Sequence, residues 1–438
     1  MKYHCTNIIY PSHREMTALM LFHRDLRLVD HNALESIRDK DIIPLFVFTP
    51  EQVSDANPLK SNNSVQFMIE SLRELEKEII SKHGTLYIAY GNTVDVIASI
   101  FRSHPFTILA ETADYTPYAK KRTAEIADFC KKHSITYQSV HDSYLIEPGL
   151  IVNKSGKTFQ KFTPFYDTAR TKSIPAPQKA HVLHFCTITK GNNVQRKDKK
   201  RTTRKRHRFS WQTTLDEMER RFCPVKNAEI AVKGGRKEGL QLLHRLPQKY
   251  AETHDTPSIP TSMLSAHNHF GTVSIREVYA ATKQPAFRRQ LWWRDFYGHI
   301  MADFENLYGM GAYEFEMNKW KRPLSKDKHT WLEQWKKGET GVNLVDAGMK
   351  QMLRTGWMHN RLRLVVSSWL TKDKGIHWRH GERFFAQHLV DYDPAQNMMN
   401  WIWMASALPF ASAPFRKVSA KGTAEQFNKD GVYVKTWL

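Results

Sequence analysis

From Thr17 onward the chain alternates short apolar runs with longer amphipathic stretches. TALMLF at 17–22, IIPLFVF at 42–48, TLYIAY at 85–90 and FTILAE at 106–111 are each unbroken by charge until their ends. Runs of that length and continuity suit strands buried on both faces of a sheet. A polar, helix-like stretch around Asn32–Arg38 and the amphipathic SVQFMIESLRELEKEIISKHG lie between them, with Gly84 placed to stop the second helix. Strands alternating with helices imply βαβ units, so 16–148 is expected to be an α/β domain on a doubly wound parallel sheet. The first fifteen residues carry no such pattern.

A connecting region is expected over 149–240. It holds FTPFYDTA, the proline-spaced IPAPQ, a run of charge and the helix-like TTLDEMERR. From 241 to 438 the period becomes 3.6: SIREVYAAT, FRRQLWWRDFYGHIMADF, VNLVDAGMKQMLRTG, RLRLVVSSWLTK and ERFFAQHLV each place apolar residues on one helical face. An all-helical domain is therefore expected to follow the α/β one.

Composition narrows the function. With 438 residues two or three domains are expected, and 41% hydrophobic residues exclude a disordered chain. No apolar run approaches the roughly 20 residues of a membrane span, and the start lacks the layout of a signal peptide. Cys5, Cys130, Cys186 and Cys223 are scattered without a CxxC pair, which argues against a disulfide framework or a zinc site. A soluble intracellular protein without a metal centre is expected. The net charge is +21, and residues 194–208 (VQRKDKKRTTRKRHR) hold nine Lys/Arg against one Asp. The remaining excess is spread along the chain, so the expected partner is a polyanion, nucleic acid above all. The basic run itself reads as an exposed loop, a DNA-contacting arm or a localisation signal.

Four blocks of the helical region carry more polar and aromatic chemistry than a core requires. Tyr250 precedes Thr261, Ser262, Met263, Leu264 and Ser265, and hydroxyls before a helix offer either an N-cap or an anion site. In QLWWRDFYGHIM (290–301), Trp293 and Tyr297 share a helical face beside Arg294, as a core stripe or as a stacking surface. GWMHNRLRLVV (356–366) brings Asn360, Arg361, Arg363 and Leu364 among apolar residues, and a buried arginine needs a carboxylate. DYDPAQNMMNWIWM (391–404) supplies Asp391 and Asp393, with Tyr392 and Asn397 beside them. A polar ring around a planar cofactor fits these blocks better than a metal site, since no further carboxylates or histidines fall at ligand spacing.

Read in series, HRDLRLVDHNAL, WWRDFY, VDAGMKQMLRTGWMHNRLR, GERFFAQHLVDYD and the W-x-W after it resemble the photolyase/cryptochrome family, closest to the class I cyclobutane pyrimidine dimer photolyases. The resemblance runs from Thr17 to Leu438. It implies an antenna domain followed by a helical domain holding FAD, and light-driven DNA repair by electron transfer from excited reduced FAD to a flipped-out dimer. The alternative it leaves is a cryptochrome-type blue-light photoreceptor that binds FAD without repair.

Carried over by position, the resemblance implies that Tyr250, Thr261, Ser262, Met263, Leu264 and Ser265 hold the FAD phosphates. Arg363 and Asp391 become an ion pair near the reactive edge of the flavin, Asp393 bonds the ring, and Asn397 faces its reactive nitrogen, with Arg294 and Tyr392 also in the cofactor set. Trp293 and Trp403 would wall the lesion pocket with Gln290, Tyr297 and Asn360, while Arg361 and Arg416 meet DNA phosphates. Asn360 and Leu364 stand where (6-4) photolyases carry a histidine pair, which favours cyclobutane dimers. Departures are Gln290 for a usual Glu, Leu364 for Met, His254 for Arg, and SAKG at 419–422. Trp401 and Trp378 match the first two members of the family's electron relay. Ser325 occupies the third position, and Trp320 is the expected replacement with Trp331 its rival. A second antenna chromophore (folate, deazaflavin or flavin) is implied, although ETADYTPYAKKR lacks the contacts of folate-binding members. The chain stops at VYVKTWL where relatives continue, so weaker packing is expected around the DNA face. UV-damaged DNA is the implied partner of a monomer, in the cytoplasm at the nucleoid or in a eukaryotic nucleus.

Overall fold

The computed structural model describes residues 16–188, 210–303, 318–407 and 417–438. The basic run at 194–208 and Arg416 lie outside them. Seven strands form one sheet: β1 (Thr17–Phe22), β2 (Asp41–Phe48), β3 (Tyr87–Tyr90), β4 (Ile108–Thr112), β5 (Thr136–Val140), β6 (His184–Phe185) and β7 (Gln212–Thr213). Their order is β5-β4-β1-β2-β3-β7, with β6 pairing the start of β2. Strands β1 to β5 are parallel, and β1 sets the register, with Thr17 opposite Asp41 and Ala18 opposite Ile108. Successive residues of β1 enter opposite cores. Ala18, Met20 and Phe22 pack with the Asn62–Ser81 helix, whereas Leu19 and Leu21 pack with residues of the Thr93–Ser103 and Pro117–Lys132 helices. Burial on both faces is why these strands read as continuous apolar runs.

Three details differ from the sequence expectation. Strand β5 (TYQSV) is polar and partly exposed at the sheet edge, so it gave no apolar run. The connecting region is not merely a link, because β6 and β7 add to the sheet; two-residue strands have no periodicity to detect. Gly84 does not supply the left-handed turn after the Asn62–Ser81 helix, since His83 does, at φ 63°. Glycine is required there by close approach: a Cβ at Gly84 would lie 2.6 Å from the Phe185 Cβ of β6.

Among the described residues no strand follows β7. The helices that build the functional region are Ser265–Phe270, Pro285–Asp303, Lys326–Lys337, Asn343–Thr355, Asn360–Ser368, Trp378–His388 and Pro394–Ala405. They bury one large apolar cluster that includes Trp335, Phe385 and Trp401. Buried ions fix this helical body to the sheet. Arg276 donates to Asp30 at 3.0 Å and to Asp142 at 2.7 Å, and Arg27 pairs with Asp142 as well. Charges this deep are tolerated because each faces an opposite one. The last helix, Val432–Trp437, is anchored in the helical body. Tyr433 is 1% exposed and its hydroxyl donates to Gln351 at 2.7 Å. No described helix is long and apolar enough to cross a membrane, and no described cluster of His, Cys, Asp and Glu suits a metal ion.

Candidate active site

The ends of the parallel strands place the first charges. Arg24 follows β1 and Asp114 follows β4, at the point where strand order reverses and ligand crevices form in such sheets. Here that point grips the helical body instead. Arg24 donates 2.8 Å to Asp393, which also meets His269 at 3.1 Å, while Arg24 pairs with Asp114 at 2.9 Å. The other Asp393 oxygen accepts the Gln396 N–H and caps the Pro394–Ala405 helix. Burial alone would raise the Asp393 pKa, but Arg24 and His269 outweigh it and hold the carboxyl far below its ordinary range.

Above this anchor lies a cavity of about 450 Å³. Tyr250, Thr261, Ser262, Met263, Leu264, Ser265, Gln290, Trp293, Arg294, Tyr297, Asn360, Arg361, Arg363, Asp391, Asp393 and Trp403 all line it. A smaller chamber of about 70 Å³ adjoins it and is lined by Asn397, Trp401 and Phe385. Asn360, Arg363, Leu364, Asp391, Gln396 and Asn400 belong to both. The helical period brings this about: Asn397 and Trp401 are one turn apart on a single helix, and so are Asn360, Arg363 and Leu364 on another.

The predicted ion pair is present. A single Arg363 nitrogen reaches both Asp391 oxygens, at 2.8 and 3.0 Å, while its Nε donates to Met358 O. The Asp391 side chain is 2% exposed. Asn397 donates its amide to the Glu382 carbonyl at 3.2 Å and to the Glu382 carboxyl at 3.4 Å. Glu382 is itself buried, and that burial raises its pKa although Arg379 opposes it. Tyr392 is not among the residues lining either space; its hydroxyl donates to Glu382. Arg294 lines the cavity but spends donors on the carbonyls of Ser143 and Asn268, and Arg361 is already paired with Asp255. Trp293 and Tyr297 do share a face, and Phe162 from the connecting region stacks on Trp293 at 3.6 Å and 7°. One face of Trp293 is therefore covered.

Comparison with known proteins now decides the family. A model described as DNA photolyase matches residues 18–181, and one described as the FAD binding domain of DNA photolyase matches residues 287–438. A deoxyribodipyrimidine photo-lyase of Alkalihalophilus pseudofirmus is 30% identical over 95% of this chain and 86% of its own. The chain belongs to the DNA photolyase family. A solved archaeal photolyase from Sulfolobus tokodaii, described with two FAD molecules, superposes with a TM-score of 0.81 at 30% identity, covering 97% of this chain and 90% of that one. A Synechocystis cryptochrome at 22% identity has the same fold, with a TM-score of 0.81 over 98% of this chain and 89% of its own.

The protein is thus a photolyase-family enzyme with an FAD-binding domain, and its cavity fits that group. Hydroxyls and backbone of 261–265 form one wall, a buried Arg–Asp pair another, and a fixed amide faces the inner chamber. The three tryptophans expected as an electron relay gather around one helix. Trp401 lies in the core, and Gly381 allows it in, because a Cβ there would be 2.1 Å from its ring. Trp378 begins the helix that carries Gly381, and Trp320 is 6.2 Å, centroid to centroid, from His380 on that helix. All three expected relay members therefore touch one helix. Sequence reasoning missed Trp335, edge-on to Trp401 at 6.1 Å, and Glu382; neither stood out from core and surface patterning. The segment ETADYTPYAKKR is engaged internally. Glu111 meets His23 at 2.7 Å and Thr123 at 2.8 Å, and Asp114 holds Arg24.

Proposed function

We propose that this enzyme reverses cyclobutane pyrimidine dimers in DNA under light. The observation that carries the reading is the wall common to the two cavities, where Asn360 and Leu364 stand and neither can donate a proton to a lesion. FAD, when bound, would supply light-driven one-electron chemistry towards the dimer. The protein's own groups bind and orient. Arg363 with Asp391, and Asn397 held by Glu382, fix the inner chamber, while Thr261, Ser262 and Ser265 offer hydroxyls to phosphates. Trp293 presents its uncovered face, with Trp403, Tyr297 and Gln290 around it, to an extruded dimer. Arg361 meets DNA phosphate once it leaves Asp255. Trp401, Trp378 and Trp320 serve as the internal electron path by which the cofactor is brought to its reduced state. A monomer bound along DNA fits the distributed positive charge.

The test is an irradiated thymine-rich oligonucleotide incubated with FAD-loaded protein in light and in darkness. Loss of dimers in light alone is the expected result. Full FAD occupancy with dimers unchanged in light would instead favour a blue-light sensor.

A further inference from the structure

We infer that His380 is the base that receives the indole proton of Trp320 when Trp320 is oxidised. The inference rests on the electron path proposed above and gives that path an end. The two rings sit 6.2 Å apart at 61°. Both Trp320 Nε1 and His380 Nε2 are buried atoms without a hydrogen-bond partner. An unpartnered indole N–H on a ring next to one with an unpartnered imidazole nitrogen is a costly arrangement, and a proton transfer between the two gives it a purpose.

Electrostatics distinguishes Trp320 from its rival. Lys374 places its ammonium 4.5 Å from the centre of the Trp331 ring, where a positive charge opposes loss of an electron. Beside Trp320 stands an imidazole instead. Burial lowers the His380 pKa, and Lys336 from the facing helix and Arg383 from its own helix lower it further. The ring is therefore neutral and able to accept at neutral pH. His380 as a residue is partly exposed.

The step balances. An electron leaves the Trp320 indole for Trp378 and Trp401 and ends on the light-excited oxidised flavin. The indole radical cation is a far stronger acid than the indole, and its N–H proton moves to His380 Nε2. A neutral tryptophan radical and an imidazolium remain, and the return of the electron is slowed because the proton has gone.

The experiment is flash spectroscopy on FAD-loaded protein without DNA, following conversion of the tryptophan radical cation to the neutral radical. In His380→Gln the conversion should slow about a hundredfold, with FAD still bound and the cation recombining instead. In Trp320→Phe the neutral-radical signal should vanish. If His380→Gln converts at the native rate while Trp320→Phe loses the signal, the proton assignment falls and the electron path stands. A signal unchanged in Trp320→Phe overturns both. The unsubstituted protein gives a second reading: conversion should slow only once pH has fallen below the ordinary histidine value of about 6.5, and a rate flat over the whole acid range in which the protein stays folded overturns the assignment.

Discussion

Asp391 and Asp393 stand two residues apart and do different work. Asp391 faces Arg363 at the cavity wall; Asp393 faces Arg24 beneath it. Replacing Asp391 with Ala leaves Arg363 without its carboxylate, and because that arginine is 24% exposed the cost should be near the low end, about 3 kcal/mol. The purified variant should be pale and melt earlier, as absorption near 450 nm (roughly the oxidised-flavin band) and a thermal scan will show. Trp293 offers the opposite test. Its inner face is already stacked on Phe162, so Trp293→Ala removes only the face turned to substrate, plus packing on Phe162. Damaged-DNA binding should weaken by about 1–3 kcal/mol in a filter or fluorescence titration, with FAD retained.

The Trp378–His388 helix is the element on which the proposed cofactor chamber and the proposed electron path converge. It presents Glu382 to Asn397, Gly381 to Trp401 and His380 to Trp320. Gly381→Ala should displace Trp401 and cost about 1–3 kcal/mol by overpacking, visible as a lowered melting temperature. Trp378→Phe keeps an aromatic ring but raises the cost of oxidation at that step. Light-driven reduction of bound flavin should slow sharply, while chemically reduced protein should act on dimers as before. Much of this was legible in the sequence: the period of 3.6 placed Trp293 with Tyr297, and an arginine among apolar residues called for an acid, which is Asp391. Strands β6 and β7 were not legible, because two residues carry no period. Nor was Tyr392's position, since its neighbours Asp391 and Asp393 line the cavity while the residue between them faces another way. Glu382 and His380 also stayed hidden, because a polar residue on a helix looks solvent-facing until its neighbours are known.

At the scale of the whole molecule, burial of neutral histidines sets the acid limit. His267, His299 and His359 are each pushed down to about 4 by burial. A folded pKa below the unfolded value of about 6.5 means that stability is intact above 6.5 and is lost as pH falls through 4. The melting temperature should therefore drop steadily across that interval, and His267→Phe, if it packs, should flatten part of the slope. A last consequence comes from the two smallest strands. β6 ends at Phe185 and β7 begins at Gln212, so the chain leaves the sheet beside β2 and rejoins it beside β3. Each bank of that interval is moored independently, β6 to β2 and β7 to β3, and the halves also share the Arg24–Asp393 and Arg276–Asp30 clasps. The two parts of the chain on either side of that interval should therefore hold together through these contacts alone. Expressed as two separate polypeptides divided there, the protein should reassemble in the cell and co-purify as one yellow complex, and pieces that never associate would show that the tether was needed after all.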